Sequence, residues 1–405
     1  MFKLFSNKII TTVLIALVAS QVRADDTVKL PASTFNAGYS FNDGLSKIKI
    51  NGKFGFLNKQ GTISVECSYD YASDFQNGFS IVRKGTKYGF ILKNGLVLTD
   101  LAYDFLEPFE GDRALFKKDG KFGYLDTSGN EVIPNTLDFA MSFEGNLAVF
   151  SENKKSGYID RSGKVTITPE YTFALNFTEG LAPVMKDGKW GFISEDGTLA
   201  LAFEYDFASN FKEGRATVTK GNKTTIINTK GQSLTKYEFD NISEFVNGYA
   251  LFMQEGEFGI INKKSSIKIS GLNKMVQSSN GLYAFTRNNL WGFMNTNGKE
   301  IVTPTFAKVG DFHEGMARVM QDGKYGYIDE MGKVVIPIIY DSAENFSDGM
   351  AAVKLRNIYY YIDDMGSEKL ALALDKESVP ERILVQINQN QMLYSNGRLV
   401  TASLN

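Results

Sequence analysis

Along most of the chain, apolar residues alternate with polar ones in short runs such as Ala216–Val218 and Trp190–Phe192. That alternation is the period of a half-buried strand, not the i, i+3, i+4, i+7 spacing of an amphipathic helix. The runs are bounded by turn dipeptides. Asn51-Gly52, Asp119-Gly120, Asp187-Gly188 and Asp322-Gly323 separate a first run from a second. Such pairs accept positive φ at little cost and favour the two-residue hairpin turn. A second turn ends in Gly61, Gly129, Gly197 or Gly332, and a third run such as Glu131-Val132-Ile133 or Val334-Val335-Ile336 follows. Each unit therefore reads as a three-stranded meander.

The third run ends near Pro134, Pro169, Pro304 or Pro337, where proline suits a strand end or edge. Next come Tyr69-Asp70, Tyr103-Asp104, Tyr205-Asp206, Phe239-Asp240 or Tyr340-Asp341. The aspartate is read as the N-cap of about one helical turn, with a later phenylalanine packed inward and a glycine closing the turn.

The units recur with a fixed step. An aromatic residue before glycine occurs at Phe54, Tyr88, Phe122, Trp190, Phe258, Trp291 and Tyr325, with Ser156, Thr224 and Tyr359 in register. Successive positions are 34 residues apart, except for one step of 33. A second landmark, an aromatic and two variable residues before glycine, gives FNDG at Gly44, FQNG at Gly78, FKEG at Gly214, FHEG at Gly315 and FSDG at Gly349. The tetratricopeptide unit has a similar length, but its two amphipathic helices do not fit this pattern.

A unit this small cannot bury a two-sided core alone, so its stability must come from its neighbours. The aromatic before glycine is best placed to fill the space between repeats, and the glycine lets an adjacent ring or backbone approach closely. The expected fold is all-β, a tandem array of about ten ~34-residue three-stranded meanders. An open superhelix is favoured and closure into a propeller is the alternative, because rings usually hold about 4–8 blades of four strands.

The ends of the chain differ from this pattern. Residues 1–24 carry Lys3 and Lys8 ahead of an apolar run from Ile9 to Ala19, then end Val22-Arg23-Ala24. That is the plan of a secretory signal peptide, and the run is shorter than the roughly 20 residues of a membrane span. The boundaries drawn are 1–24 for this leader, 25–35 for an N-terminal segment, 36–366 for the array and 367–405 for a C-terminal capping segment. In the last, the ILVQI and QMLY runs and Asn396-Gly397 read as a hairpin protecting the final edge. The expected location is periplasmic or extracellular.

Composition then removes whole classes of function. Hydrophobic residues make up 43% and aromatics 13%, which excludes a disordered chain, while 38 glycines against 8 prolines fit many tight turns. Without the leader, 41 basic side chains face 46 acidic ones, a formal −5 that gives no electrostatic reason to bind nucleic acid.

Reactive chemistry is equally scarce. His313 is the single histidine and Cys67 the single cysteine, so no zinc cluster or Cys-His dyad is available. His313 reads as a solvated turn residue, and Cys67 as a small buried hydrophobe. KDGKFG and KDGKWG lack phosphate-loop spacing and lie between strands. The repeated aspartates are too sparse for calcium and too far apart for a retaining glycosidase pair, and Thr172 and Ala307 replace them in two units. No catalytic, cofactor-binding or metal-ligating residue is assigned, no cofactor is implied, and the binding residues are unknown. Tyr359, Tyr360 and Tyr361 offer one candidate stacking platform for a sugar chain.

The unit GKWGFI, a glycine turn, then YDFA..F.EG resembles the WG-repeat family of bacterial proteins over residues 36–366. The resemblance implies a β-rich array that mediates interactions, and it carries no catalytic residue. The functional expectation is an exported, non-catalytic scaffold binding a protein or envelope polymer. A carbohydrate-binding or carbohydrate-processing protein is the alternative.

Overall fold

The computed structural model describes residues 35–372, except 237, 263–265 and 357, together with 382–387, 390–395 and 398–401. The leader expected over 1–24 and the Asn396-Gly397 turn lie outside the described residues.

The fifth unit shows the plan. Phe173–Ala174, Leu181–Lys186, Lys189–Ser194 and Leu199–Tyr205 pair in that order, each antiparallel to the next. Between the second and third strands, Asp187 and Gly188 take φ of 51° and 79°, as the two-residue turn requires. The structure corrects the expected unit from three strands to four. The stretch read as a capped helical turn is the short first strand. It stays extended because its amides find partners in the next strand: Asp206 N donates to the Thr219 carbonyl at 2.9 Å and Ser209 N to that of Thr217 at 3.0 Å. The second and sixth sheets have three strands, and isolated bridges such as Tyr88↔Tyr103 and Thr224↔Phe239 stand in for the fourth.

Proline does not end the last strand of a unit, as the sequence suggested, but sits inside it. Glu131–Leu137 runs through Pro134, and the pairing jumps from Tyr124↔Ile133 to Phe122↔Leu137, so extra residues bulge out of the ladder. A bulge on an edge strand needs no donor at that point, which accommodates proline. The displaced backbone crosses over the glycine that follows the aromatic. A Cβ built on Gly123 would lie 2.5 Å from the Ile133 carbonyl oxygen and 2.9 Å from Asn135 N. The close approach expected at this glycine is therefore made by backbone and also by the Phe116 ring, 2.6 Å from that Cβ.

Ten sheets follow one another along residues 35–372, and they are numbered here as blades 1 to 10 in chain order. Among the described residues, each hydrophobic cluster draws on two successive blades. Tyr158 and Ile167 of blade 4 pack with Phe177 and Val184 of blade 5, and Trp190 and Phe192 of blade 5 pack with Phe211 and Val218 of blade 6.

The series does not stop at blade 10. Met350, Ala352, Tyr361 and Leu370 of blade 10 share one cluster with Phe41, Ile48 and Leu57 of blade 1. Tyr361 is fully buried there, its ring 4.9 Å from that of Phe41. Its hydroxyl is 2.5 Å from Ser46 Oγ, which itself donates to the Tyr39 carbonyl. The array is thus a closed ten-bladed ring, the propeller alternative, and not the open superhelix that was favoured. The usual blade counts describe longer units, and here the contact from blade 10 to blade 1 repeats the chemistry of every other step.

Glu368–Leu372 still pairs within blade 10, beyond Gly366 where the sequence pattern lapses. Arg382–Ile387, Asn390–Ser395 and Arg398–Thr401 form a separate three-stranded sheet.

Candidate binding face

Because the strands alternate in direction, the turns sort onto two faces of the ring. One, the hairpin face, carries the two-residue turns and the single-residue crossings between blades, such as Asp206 between Tyr205 and Phe207. The opposite face carries the aromatic-x-x-Gly turns and the turns between third and fourth strands.

On that opposite face, the acid before one turn's glycine accepts the amide of the next turn's glycine. Gly78 N donates to Asp43 at 2.6 Å, Gly214 N to Glu179 at 2.8 Å and Gly248 N to Glu213 at 2.7 Å. Gly44 N donates to Asp348 at 2.6 Å, which carries the same tie across the closing interface. These acids are structural, and their oxygens face amides of the protein itself.

On the hairpin face, the crossing aspartates do related work. Asp70, Asp206 and Asp240 pair with Lys53, Lys189 and Lys223 at the head of the preceding blade's third strand. Each also accepts an amide from the hairpin turn of its own blade, Gly85 N and Gly221 N at 2.7 Å and Glu255 N at 2.6 Å. The aspartates are therefore ties between blades, not helix caps. First the lysine and then the turn amide hold these carboxyls below the usual carboxylate range. A depressed folded value stabilises the fold above the unfolded value of about 3.9 and is lost as pH falls through the folded one. Thermal melts should therefore be flat from neutral pH to about 5 and fall below about 4. Asp206→Asn with Asp240→Asn should lower the neutral-pH plateau and make the acid limb shallower. An unchanged acid limb in that double variant would show that other groups set it.

The residue after each crossing opens the next blade's first strand, and in five consecutive blades it is an exposed ring. Tyr71, Phe105, Phe139, Phe173 and Phe207 are 42, 40, 45, 58 and 49% exposed. The equivalent residues of blades 7 to 10 are Asn241, Lys274, Lys308 and Ser342. Blades 2 to 6 therefore carry an aromatic arc, and blades 7 to 10 do not. Exposed rings repeated along one face make it the candidate binding face.

Two of these rings lie against the aromatic that precedes glycine in the preceding blade, and Tyr71 lies against Tyr88 of its own blade. Phe139 meets Phe122 of the preceding blade edge-on, with centroids 5.8 Å apart, and Phe207 meets Trp190 at 6.4 Å. Trp190 is 9% exposed and belongs to the core between blades 5 and 6. Trp291 is half-buried, with the Lys274 ammonium 5.4 Å from its ring. Both tryptophans thus serve packing between repeats.

The other sequence candidates scatter. Tyr360 and Tyr361 are buried, and Tyr359 is half-buried under Lys354, so the three do not form a stacking platform. His313 ends a strand of blade 9 and is exposed. Cys67 is half-buried beside the closing cluster, where burial pushes its thiol up to about 11. Among the described residues no group of three or more His, Cys, Asp or Glu side chains could hold a metal ion, and no helix is long and apolar enough to cross a membrane. Sequence reasoning missed the arc. Its signal, an aromatic at the third place of Y-D-F-A in step with the repeat, was visible but assigned to a helical turn.

Antiparallel blades stacked into a closed ring define a β-propeller. The WG-containing repeat model matches at 54–88, 88–122, 122–155, 157–190, 190–223, 225–258, 291–325 and 325–359, and the chain belongs to that family. No curated protein matches the sequence. Among solved structures, a eukaryotic initiation factor is 10% identical, with 82% of this chain and 94% of that one covered and a TM-score of 0.48. Hsv2p of Kluyveromyces lactis is 8% identical over 54% of this chain and 90% of that one, with a TM-score of 0.32. PorZ of Porphyromonas gingivalis is 10% identical over 89% and 63%, with a TM-score of 0.28.

Proposed function

We propose that this propeller is an exported, non-catalytic scaffold that binds a protein or envelope polymer through the aromatic arc on its hairpin face. The observation that supports this most is that, among the described residues, the rings at least 40% exposed all lie in blades 2 to 6, since a purely structural array would have no reason to expose rings on one stretch of its circumference. The exported placement rests on the leader-like residues 1–24 and the non-catalytic reading on the absence of an assigned catalytic set from the sequence. A carbohydrate-binding reading draws on the paired carboxylate and ammonium next to several rings, such as Asp206 and Lys189 beside Phe207.

Crosslinking capture from envelope extracts tests the proposal. A variant combining Phe105→Ser, Phe139→Ser and Phe173→Ser should lose what the native protein captures, whereas Met331→Ser with Met365→Ser on the opposite face should not. Equal capture by the two variants would remove the arc as the binding surface. Retention of the native ring on a glycan array, lost in the arc variant, would favour the carbohydrate reading.

A further inference from the structure

Where the arc has ended, between blades 7 and 8, the packing is incomplete. A cavity of about 320 Å³ opens there, lined by Met253, Phe258, Met275 and Val276, with Asn241 and Gln277 at its polar edge. Its cause lies in the irregular step of the repeat. The fourth strand of blade 7 is only Ser266–Ile269 and pairs in a regular ladder without the bulge, and residues 270–273 replace the single-residue crossing.

Two other interfaces carry a ring at the place where this one has none. Between blades 3 and 4, Phe139 covers Phe122, and between blades 5 and 6, Phe207 covers Trp190. The equivalent partner for Phe258 is Lys274, but its ammonium sits 5.4 Å from the ring of Trp291 in its own blade. Phe258 is left half-buried with Met253 paired beside it.

We infer that this cavity receives an aromatic side chain from a polypeptide partner, taking the place that Phe139 occupies between blades 3 and 4 and Phe207 between blades 5 and 6. The inference rests on the reading of the hairpin face as a binding surface, and gives that surface an anchor. Two methionines suit such a pocket, since their unbranched thioethers adapt to an inserted ring and make favourable sulfur–aromatic contacts. Asn241 and Gln277 supply amides able to hydrogen-bond the backbone that carries the ring. A buried aromatic surrounded by polar edges is the common form of an interface hot spot.

Methyl NMR on the full chain, with ¹³C-labelled methionine, tests this directly. Titration with N-acetyl-phenylalaninamide should shift the Met253 and Met275 methyls saturably through the ring current, while Met331 and Met365, 78 and 82% exposed, stay still. N-acetyl-glycinamide should shift none of them. Lys274→Phe, which supplies the ring in cis, should abolish the response. Unshifted Met253 and Met275 methyls in the native protein would overturn the inference whatever the variant does. So would an undiminished response in Lys274→Phe, or a larger response to methyl glucoside than to the phenylalanine amide. The arc variant's loss of capture does not depend on this cavity, so failure here and failure of the binding face are separate results.

Discussion

Replacing Tyr361 with alanine is expected to open the ring between blades 10 and 1. The side chain is fully buried, packs on Phe41 and donates a hydrogen bond to Ser46. Truncating a buried aromatic costs about 3–5 kcal/mol, and leaving the Ser46 hydroxyl without that donor adds to it. The location matters as much as the amount. Successive blades elsewhere are joined by the chain, whereas among the described residues this seam is held by side chains and turn amides alone. Tyr158, equally buried between blades 4 and 5, provides the matched control. Spin labels on blades 1 and 10 should move apart in Tyr361→Ala and keep their distance in Tyr158→Ala, with similar losses of thermal stability in both. An unchanged label distance in Tyr361→Ala would mean that the seam is held mainly by the Asp348–Gly44 tie.

The second large effect is expected at Gly191, where alanine would collide with the backbone. A Cβ there would lie 2.7 Å from the Leu201 carbonyl oxygen and 2.9 Å from the Phe203 ring. Overpacking of this sort costs about 1–3 kcal/mol, and the upper end applies because the obstacle is backbone. Relief requires the fourth strand, Leu199–Tyr205, to lift away. Neither blade without glycine there keeps the bulge: no fourth strand pairs beside Thr225 in blade 6, and Tyr360 of blade 10 pairs directly with Ala371. Gly191→Ala should therefore lower the melting temperature and speed amide exchange over residues 199–205. Gly188→Ala meets no atom within 4 Å and carries only the strain of φ near +79°. If both variants exchange alike over 199–205, the bulge is not what demands glycine.

These residues also mark how far the sequence could be read. The strand period, the two-residue turns and the inter-repeat role of Trp190 follow from local pattern, because each depends on neighbours a few positions away. The crossing aspartates were misread for the opposite reason. Next to an aromatic and ahead of a small apolar residue, Asp206 looks like a helix cap, but its partners are Lys189, 17 residues earlier, and the turn amide of Gly221, 15 residues later. Closure was hidden similarly, since it depends on the angle accumulated over all the blades. The cavity at Phe258 was foreshadowed by the single 33-residue step, but its opening depends on which ring Lys274 covers.

A ring of ten nearly equal steps would offer a partner ten nearly equal seats. The aromatic arc removes that degeneracy, because it begins at blade 2, ends at blade 6 and is followed by Asn241 and three further polar residues. Rotation by one blade sets a ring's seat against Asn241 at one end of the arc and leaves the seat of Tyr71 without its ring at the other, so misalignment is penalised only at the two boundaries. The irregular joint between blades 7 and 8 then acts as a fixed index mark beyond one boundary. A repetitive frame thereby acquires a single rotational setting without giving up the repetition that holds it together.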